Sequence, residues 1–355
     1  MRCFLIFLSS LLAVFVIIPP IIRATGKSKL FDLPSEQRKI HTGVIPNAGG
    51  IAVFIGFLFS CLIFIPLDLL PQANVLMASA LLTFIMGLKD DIDGLEPYKK
   101  FVAQFVAALI IVFLADIRII NLYGTFGIDE LSYEISVLLT IFSFVGVVNA
   151  YNLIDGIDGL AGSLGVLSSI LYAYLFFQAG QLGYAYLSVA FAGSLIGFLF
   201  FNVSPAKLFL GDSGSLLIGF IAVILSIRIL DPDLSARLES SQLRIISAPG
   251  IVAAILIIPV FDTLRVLIMR IYRGVSPFTA DSNHLHHRLL SLGLSHIQST
   301  VVLLIVNLLF IILALFLQQL GNTQLITMIG LAMLMINGLL SLILYWSRKI
   351  VADKV

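Results

Sequence analysis

Two amides and two carboxylates lie close together at the edge of strongly apolar sequence: Asn149, Asn152, Asp155 and Asp158. An unpaired charge in such surroundings costs on the order of several kcal/mol. Lys and Arg are absent from residues 119–206, so no basic residue nearby in the sequence can neutralise the two acids. A bound cation is therefore the leading candidate, and oxygen ligands favour Mg²⁺, with Mn²⁺ as second choice. The alternative interpretation is that the acids only cap helices or mark a turn.

A second acidic pair, Asp90 and Asp91, follows an apolar stretch that ends at Leu88. Adjacent carboxylates repel each other unless a cation lies between them; the alternative is a solvated helix end. Lys100 lies near the start of the next apolar stretch and is predicted to hold a lipid phosphate. For Lys99, ordinary anchoring at the membrane surface is the better interpretation.

A third polar cluster, at 202–215, leads into another apolar stretch and contains Asn202, Phe209 and Asp212. Backbone N–H groups at a helix start favour phosphate, an aromatic ring can stack on a base, and Asp212 can join a metal or orient a ligand. An N-capping role for Asp212 fits these residues equally well.

Three of the five histidines form a fourth cluster with an arginine: His284, His286, His287 and Arg288. Neither Cys nor Glu lies nearby to complete a zinc site, so we favour donors to a diphosphate, with a merely basic loop as the alternative. Arg265 is predicted either to contact a substrate phosphate or to pair with Asp262 along a helix face. In the first connection, Arg38 and His41 precede a Pro- and Gly-rich entry into the next apolar stretch.

The composition identifies the elements that must position these clusters. The 355 residues are 59% hydrophobic and 12% charged, with a mean hydropathy of +1.08, which predicts an all-α polytopic membrane protein. A net charge of +1 gives no reason to expect nucleic-acid binding. Cys3 and Cys61 match no metal-ligand spacing.

A hydrocarbon core of about 30 Å needs about 20 apolar residues per helix, which predicts about eleven transmembrane helices in a single domain over 1–355. They are expected near 3–22, 48–66, 72–88, 101–116, 133–150, 164–179, 184–201, 214–230, 247–269, 299–317 and 323–345. Basic residues concentrate after the odd-numbered spans and in the C-terminal tail, so the N-terminus is predicted outside and the C-terminus in the cytoplasm. All four clusters then share the cytoplasmic face and can converge. On the outer face, 116–130 is predicted to form a small hairpin with Gly124 and Gly127 in its turn.

Five motifs occur in order: Pro46-Asn-Ala-Gly49-Gly50, Asp90-Asp91, Asn149-x-x-Asn152-x-x-Asp155-Gly-x-Asp158-Gly, Phe209-x-Gly-Asp212-x-Gly-Ser and His284-x-His286-His287. With this order and spacing, the chain resembles the polyprenyl-phosphate N-acetylhexosamine-1-phosphate transferases over about residues 23–297. Two further spans and a basic tail follow at 298–355. The His-x-His-His segment resembles the branch that uses N-acetylglucosamine donors. Muramoyl-pentapeptide members typically show a longer histidine run followed by an acid, where this chain has Arg288.

The resemblance implies transfer of N-acetylglucosamine-1-phosphate, or a related N-acetylhexosamine-1-phosphate, from a UDP-sugar to undecaprenyl phosphate. UMP would be released and lipid-linked glycan synthesis begun at the bacterial inner membrane. Implied partners are those two substrates, the lipid bilayer and a second copy in a homodimer. A phospho-muramoyl-pentapeptide transferase and a cation-coupled transporter are the alternative functions.

Site roles follow from the resemblance residue by residue. Implied catalytic residues are Asp90, Asp91, Asp155 and Asp158, and implied Mg²⁺ ligands are Asp158, Asp212 and Asp91. Implied substrate-binding residues are Lys100, Asn152, Asn202, Phe209, Arg265, His284, His286, His287 and Arg288. One departure concerns the first acidic motif, where the family often has a third acid at the position of Gly94 and this chain has Asp93 instead.

Overall fold

The computed structural model describes residues 1–25, 31–32, 45–242, 244–276 and 283–352. The basic residues Arg38 and His41 of the first connection lie outside the described residues.

The described residues form α-helices and two short two-stranded sheets. The helices are α1 (Arg2–Thr25), α2 (Gly49–Phe64), α3 (Ala73–Asp93), α4 (Pro97–Ala115), α5 (Tyr133–Ile154), α6 (Leu160–Gln178), α7 (Leu182–Asn202), α8 (Gly211–Ile229), α9 (Pro232–Glu239), α10 (Ala248–Ile255), α11 (Ile257–Tyr272), α12 (Leu285–Leu290), α13 (His296–Leu317) and α14 (Asn322–Ala352). The strands are β1 (Phe31–Asp32), β2 (Ile45–Pro46), β3 (Asn121–Thr125) and β4 (Ile128–Glu130).

Membrane-spanning helices dominate this fold, which confirms the predicted all-α polytopic class. Within the described ranges, eight helices are long and apolar enough to cross a membrane, and the bent pair α10–α11 adds a ninth if it is one span. Helices also cover the predicted stretches 48–66 and 72–88, as α2 and α3. The count of eleven spans and their orientation stay predictions.

The pair α10–α11 bends by 73° between Ile255 and Ile257. Pro259 lies in the first turn of α11, where its ring removes one backbone donor and disfavours a straight continuation. The bend separates α10 from the segment of α11 that carries Asp262 and Arg265.

The predicted hairpin at 116–130 is present as β3 and β4, which pair antiparallel. Gly124 and Gly127 both have positive φ in the turn between them. A separate sheet, β1–β2, pairs Phe31 with Pro46 and Asp32 with Ile45.

Helix α8 lies at the centre of the bundle, and nearly all of its residues are buried. It is packed by α3 and α5, whose C-terminal ends carry the predicted acids. The approach of α3 depends on Gly87, because a Cβ there would lie 2.5 Å from the Cα of Ser213. This close packing brings the end of α3 against the start of α8.

Candidate active site

The ends of α3, the start of α4 and the start of α8 meet in one charged cluster. The Lys100 ammonium contacts Oδ2 of Asp90 and lies 2.6 Å from Oδ2 of Asp212. Asp90 also accepts a 2.6 Å hydrogen bond from the backbone N–H of Leu95, just beyond its own helix. A single cation therefore bridges two predicted site acids from different helices.

Asp91 caps the start of α8 from outside that helix. Its Oδ1 accepts from the N–H of Asp212 at 2.7 Å and its Oδ2 from the N–H of Ser213 at 3.0 Å. These N–H groups have no partner within the helix, and the positive end of the helix dipole favours the carboxylate. The predicted N-cap thus exists, but Asp91 supplies it, and the Asp212 side chain faces the cluster.

Helix α5 adds two amides to this region. The Asn152 side chain donates to Oδ1 of Asp212 at 3.0 Å and to the Ser215 hydroxyl at 2.9 Å. One turn earlier, Asn149 and Gln104 exchange amide hydrogen bonds of 2.5 and 3.3 Å. Gln104 lies one turn beyond Lys100 on α4, so this amide pair fixes α4 against α5 next to the charged cluster.

Asn202 and Phe209 lie in the connection between α7 and α8. The Asn202 side chain accepts from the N–H of Gly159 at 2.8 Å and donates to the carbonyl of Leu208 at 2.9 Å. The Phe209 N–H donates to Pro46 O, and its own carbonyl accepts from the N–H of Gly49, both at 2.9 Å. The Pro46–Gly50 motif therefore pairs with the Phe209 loop through its backbone.

Asp158 is buried in the connection between α5 and α6, and its contacts differ from those of Asp212. Its Oδ2 accepts from the N–H of Ala206 at 3.3 Å, and its Oδ1 lies 3.3 Å from Nδ1 of His296. Its carbonyl accepts a 3.0 Å hydrogen bond from the Thr300 hydroxyl. The sequence did not indicate His296 or Thr300 as residues of the site.

Asp262 links α11 to the histidine segment. Its carboxylate is buried and accepts from Nη2 of Arg265 at 2.8 Å and from the N–H of Leu285 at 3.0 Å. Nδ1 of His284 lies 2.9 Å from its Oδ2. The ion pair considered for Arg265 is therefore present, and Asp262 also holds His284 in orientation.

The other residues of the histidine segment, His286, His287 and Arg288, lie in different surroundings. The ring of His286 is buried between those of His284 and His287, with centroids 5.7 and 4.2 Å away. Burial, and then the nearby His287, lower the pKa of His286 to about 3. Arg288 is directed to α14, where it contacts Oδ1 of Asn337 and lies 2.6 Å from the Ser341 hydroxyl.

Negative charge exceeds positive charge around Asp155. Burial and then the carboxylates of Asp212, Asp91 and Asp158 raise the pKa of Asp155 well above its usual value. In the described part of the chain, no three Asp, Glu, His or Cys side chains form a ready-made metal centre. Magnesium binds through one or two carboxylates and takes its other ligands from water and phosphate, so this donor set fits Mg²⁺.

A relative from Bacillus subtilis (strain 168), named probable undecaprenyl-phosphate N-acetylglucosaminyl 1-phosphate transferase, is 34% identical over 322 residues, which are 90% of this chain and 86% of the relative. The model described as "Glycosyl transferase family 4" matches residues 73–230. The chain belongs to glycosyl transferase family 4.

Other relatives of this glycosyl transferase family 4 chain have similar names. A decaprenyl-phosphate N-acetylglucosaminephosphotransferase of Mycobacterium leprae is 36% identical, over 76% of this chain and 72% of the relative. An undecaprenyl-phosphate alpha-N-acetylglucosaminyl 1-phosphate transferase of Yersinia pestis is 30% identical, over 78% of this chain and 74% of the relative. The predicted resemblance is confirmed. The cluster from Asp90 to Asp212 falls within the family match, whereas the histidine segment, His296 and Thr300 follow it.

Proposed function

We propose that this protein transfers N-acetylglucosamine-1-phosphate from UDP-N-acetylglucosamine to undecaprenyl phosphate and releases UMP. The observation that carries the proposal is the Lys100 ammonium between Asp90 and Asp212, at the meeting point of three helix ends. The names of the relatives support the same donor sugar and a polyprenyl-phosphate acceptor. The product would begin lipid-linked glycan synthesis.

The chemistry requires little help from a general base. A phosphate monoester has a second pKa near 6, so the lipid phosphate is mostly a dianion at neutral pH. Repulsion between this dianion and the donor diphosphate is the main barrier, and neutralisation and alignment lower it. Lys100 is suited to this role because it lies at the cluster and is held there by two carboxylates.

The contacts of the acidic pair favour direct displacement. An oxygen of the lipid phosphate forms a bond to the sugar-bearing phosphorus, and the bond from that phosphorus to the UMP oxygen breaks. A covalent intermediate on Asp90 or Asp91 would need a carboxylate oxygen of that residue free to attack. Both oxygens of Asp90 are engaged, by Leu95 N–H and by Lys100, and both oxygens of Asp91 cap α8.

A divalent cation belongs to this proposal. Asp155, whose side chain forms no hydrogen bond or ion pair with the described residues, would hold Mg²⁺ together with Asp212. The ion would supply charge neutralisation to the phosphates. The implied ligands Asp91 and Asp158 have their oxygens in the capping and loop contacts above, which makes Asp155 the better partner of Asp212.

The positions of the acids along the helices favour a transferase over a transporter. A cation-coupled transporter would carry acids near the middle of its spans, whereas Asp90, Asp155 and Asp212 lie at helix ends. The Arg288 position and the names of the relatives favour N-acetylglucosamine over muramoyl-pentapeptide. We place the protein in the bacterial inner membrane, with the site on the cytoplasmic face; a homodimer stays a prediction.

A substrate panel tests this proposal. Purified protein in lipid nanodiscs receives undecaprenyl phosphate with labelled UDP-N-acetylglucosamine, UDP-N-acetylgalactosamine or UDP-muramoyl-pentapeptide. We expect labelled lipid from the first donor, loss of the product with EDTA, and recovery with Mg²⁺ or, less fully, Mn²⁺. Product only from the muramoyl-pentapeptide donor would select the alternative transferase, and product that persists in EDTA would overturn the metal proposal.

A further inference from the structure

The connection between α5 and α6 is held by a helix far away in the sequence. Thr300 donates its hydroxyl hydrogen bond to the carbonyl of Asp158 across 142 positions of chain. His296 approaches the carboxylate of the same residue, with Nδ1 3.3 Å from Oδ1. One helix thus contacts both the main chain and the side chain of a single acidic residue.

The spacing of these two residues follows from helix geometry. His296 and Thr300 are four positions apart in the first turns of α13, so their side chains lie on one face. The start of α13 is fixed by a capping box, in which the Ser295 hydroxyl accepts from the N–H of Gln298 and the Gln298 side chain accepts from the N–H of Ser295. The contacting face therefore has a defined position.

The same region connects Asp158 with the histidine segment. Helix α12 ends at Leu290, shortly before α13 begins, and contacts α13. The ring of His286 in α12 lies directly against Gly156, so a Cβ at that position would collide with the imidazole. The acidic connection thus contacts α12 and α13, and it also forms hydrogen bonds with Asn202 and Ala206.

We propose that His296 and Thr300 are positioning residues for the transfer reaction, which hold Asp158 and thereby fix the 155–159 connection relative to Asp212. This inference rests on the proposed function. Asp155 lies three residues before Asp158 in this short connection, and its charge interacts with those of Asp212 and Asp91. When the Asp158 contacts are lost, the connection gains freedom and Asp155 moves relative to the cluster.

Four variants test the proposal: His296→Leu, His296→Asn, Thr300→Val and Thr300→Ser. The Leu and Val variants remove the polar group, and the Asn and Ser variants keep a donor at the equivalent position. Removal is expected to lower kcat about 10- to 100-fold, in the range for partners that orient a functional residue. KM for UDP-N-acetylglucosamine should change by less than about threefold, because ground-state binding is retained. The Asn and Ser variants should recover most of the lost kcat.

Gln298→Ala is the matched control, because it removes only the bond from the Ser295 N–H to the Gln298 side chain. The Ser295 hydroxyl still accepts from the N–H of residue 298, so the helix start stays capped and both contacts to Asp158 are kept. A second readout is amide hydrogen exchange over 155–162 without substrate, which should become faster in the Leu and Val variants and unchanged in the control. Unchanged exchange in His296→Leu and Thr300→Val, or an equal loss of kcat in Gln298→Ala, would overturn the inference. If the wild-type protein transfers nothing, the proposed function fails, and the exchange data still decide whether α13 holds the connection.

Discussion

Lys100 and Asp212 are 112 positions apart in the chain, yet the Lys100 ammonium lies 2.6 Å from Oδ2 of Asp212. Lys100 lies in the first turn of α4 and Asp212 in the first turn of α8, and the same ammonium contacts Asp90 near the end of α3. The arrangement places one fixed positive charge where two acidic segments meet. One lysine among these acids leaves the cluster net negative, so two phosphate-bearing substrates would also need the proposed divalent cation.

Replacement of Lys100 by Met is expected to lower kcat/KM by at least about 100-fold, since the acids lose their bridging cation and the substrate phosphates lose a counter-charge. KM for the polyprenyl phosphate should rise. Lys99→Met is the matched control, because Lys99 is half-exposed, pairs with Glu96 at 2.9 Å and lies 5.6 Å from the centre of the Tyr98 ring. Steady-state kinetics of both variants provide the measurement; equal losses would assign the effect to general charge at the membrane surface.

Gly211→Ala should damage the start of α8. Gly211 has φ +74°, and a Cβ there would lie 2.7 Å from Oδ2 of Asp91, the residue that caps the helix. Strain and collision together are expected to destabilise the protein by about 1–3 kcal/mol and to reduce transfer strongly.

Gly180→Ala separates strain from collision. Gly180 has a similar φ of +70°, but nothing lies within 4 Å of the position that a Cβ would take. Thermal unfolding should show a small loss for Gly180→Ala with nearly normal kcat. A normal kcat in Gly211→Ala would contradict the role given to the Asp91 cap.

Much of this site can be predicted from the sequence. The apolar runs place Asp90, Lys100, Asn152 and Asp212 at helix ends, and those ends converge in the structure. The partners of each side chain cannot be predicted in this way, because they depend on distant packing. The capping of α8 by Asp91 requires the close approach at Gly87.

Contacts made by the C-terminal third of the chain could not be predicted from the sequence either. His296 lies inside a capping box that indicates only a helix start, and the packing of α13 is what shows its contact with Asp158. The sequence predicts that Arg288 donates hydrogen bonds to a phosphate, but its guanidinium donates instead to Asn337 and Ser341 of α14. A local motif indicates the type of group and leaves its direction open.

The amide pair Gln104–Asn149 should behave as a unit. Each single replacement by Leu removes both bonds of the pair, although Asn149 keeps its 2.7 Å bond to the carbonyl of Val145. A single replacement is expected to cost about 1–3 kcal/mol, and the double replacement should cost less than the sum. The measurements are the free energy of unfolding of each variant in nanodiscs and its kcat. Additive effects would mean that the two amides do not act together.

His286 should stay neutral at physiological pH. Its pKa in the folded protein is about 3, below the ordinary 6.5, because the ring is buried beside His284, His287 and His296, with Asp262 opposing their effect. As pH falls, the ring is protonated in the unfolded chain before it is protonated in the folded protein. The free energy of unfolding is therefore unaffected by this group above about pH 6.5 and decreases as pH falls from there toward about 3. At about pH 5 the loss is about 2 kcal/mol.

Carbon-13 spectra of histidine-labelled protein can check this, because the chain has only five histidines and His286→Asn assigns the signal. The His286 resonance should not shift between about pH 8 and about pH 5. A midpoint near 6.5 would show that the ring is accessible to solvent and not packed against Gly156.

The fate of the phosphate next to the sugar tests the account most directly. UDP-N-acetylglucosamine labelled in that phosphate is given to the protein with undecaprenyl phosphate and Mg²⁺, and the lipid and nucleotide products are separated. We predict that the label moves to the lipid with one UMP released per lipid product, and that Asp212→Asn abolishes this transfer. Label that stays with the nucleotide as UDP, or full transfer by Asp212→Asn, would contradict the account.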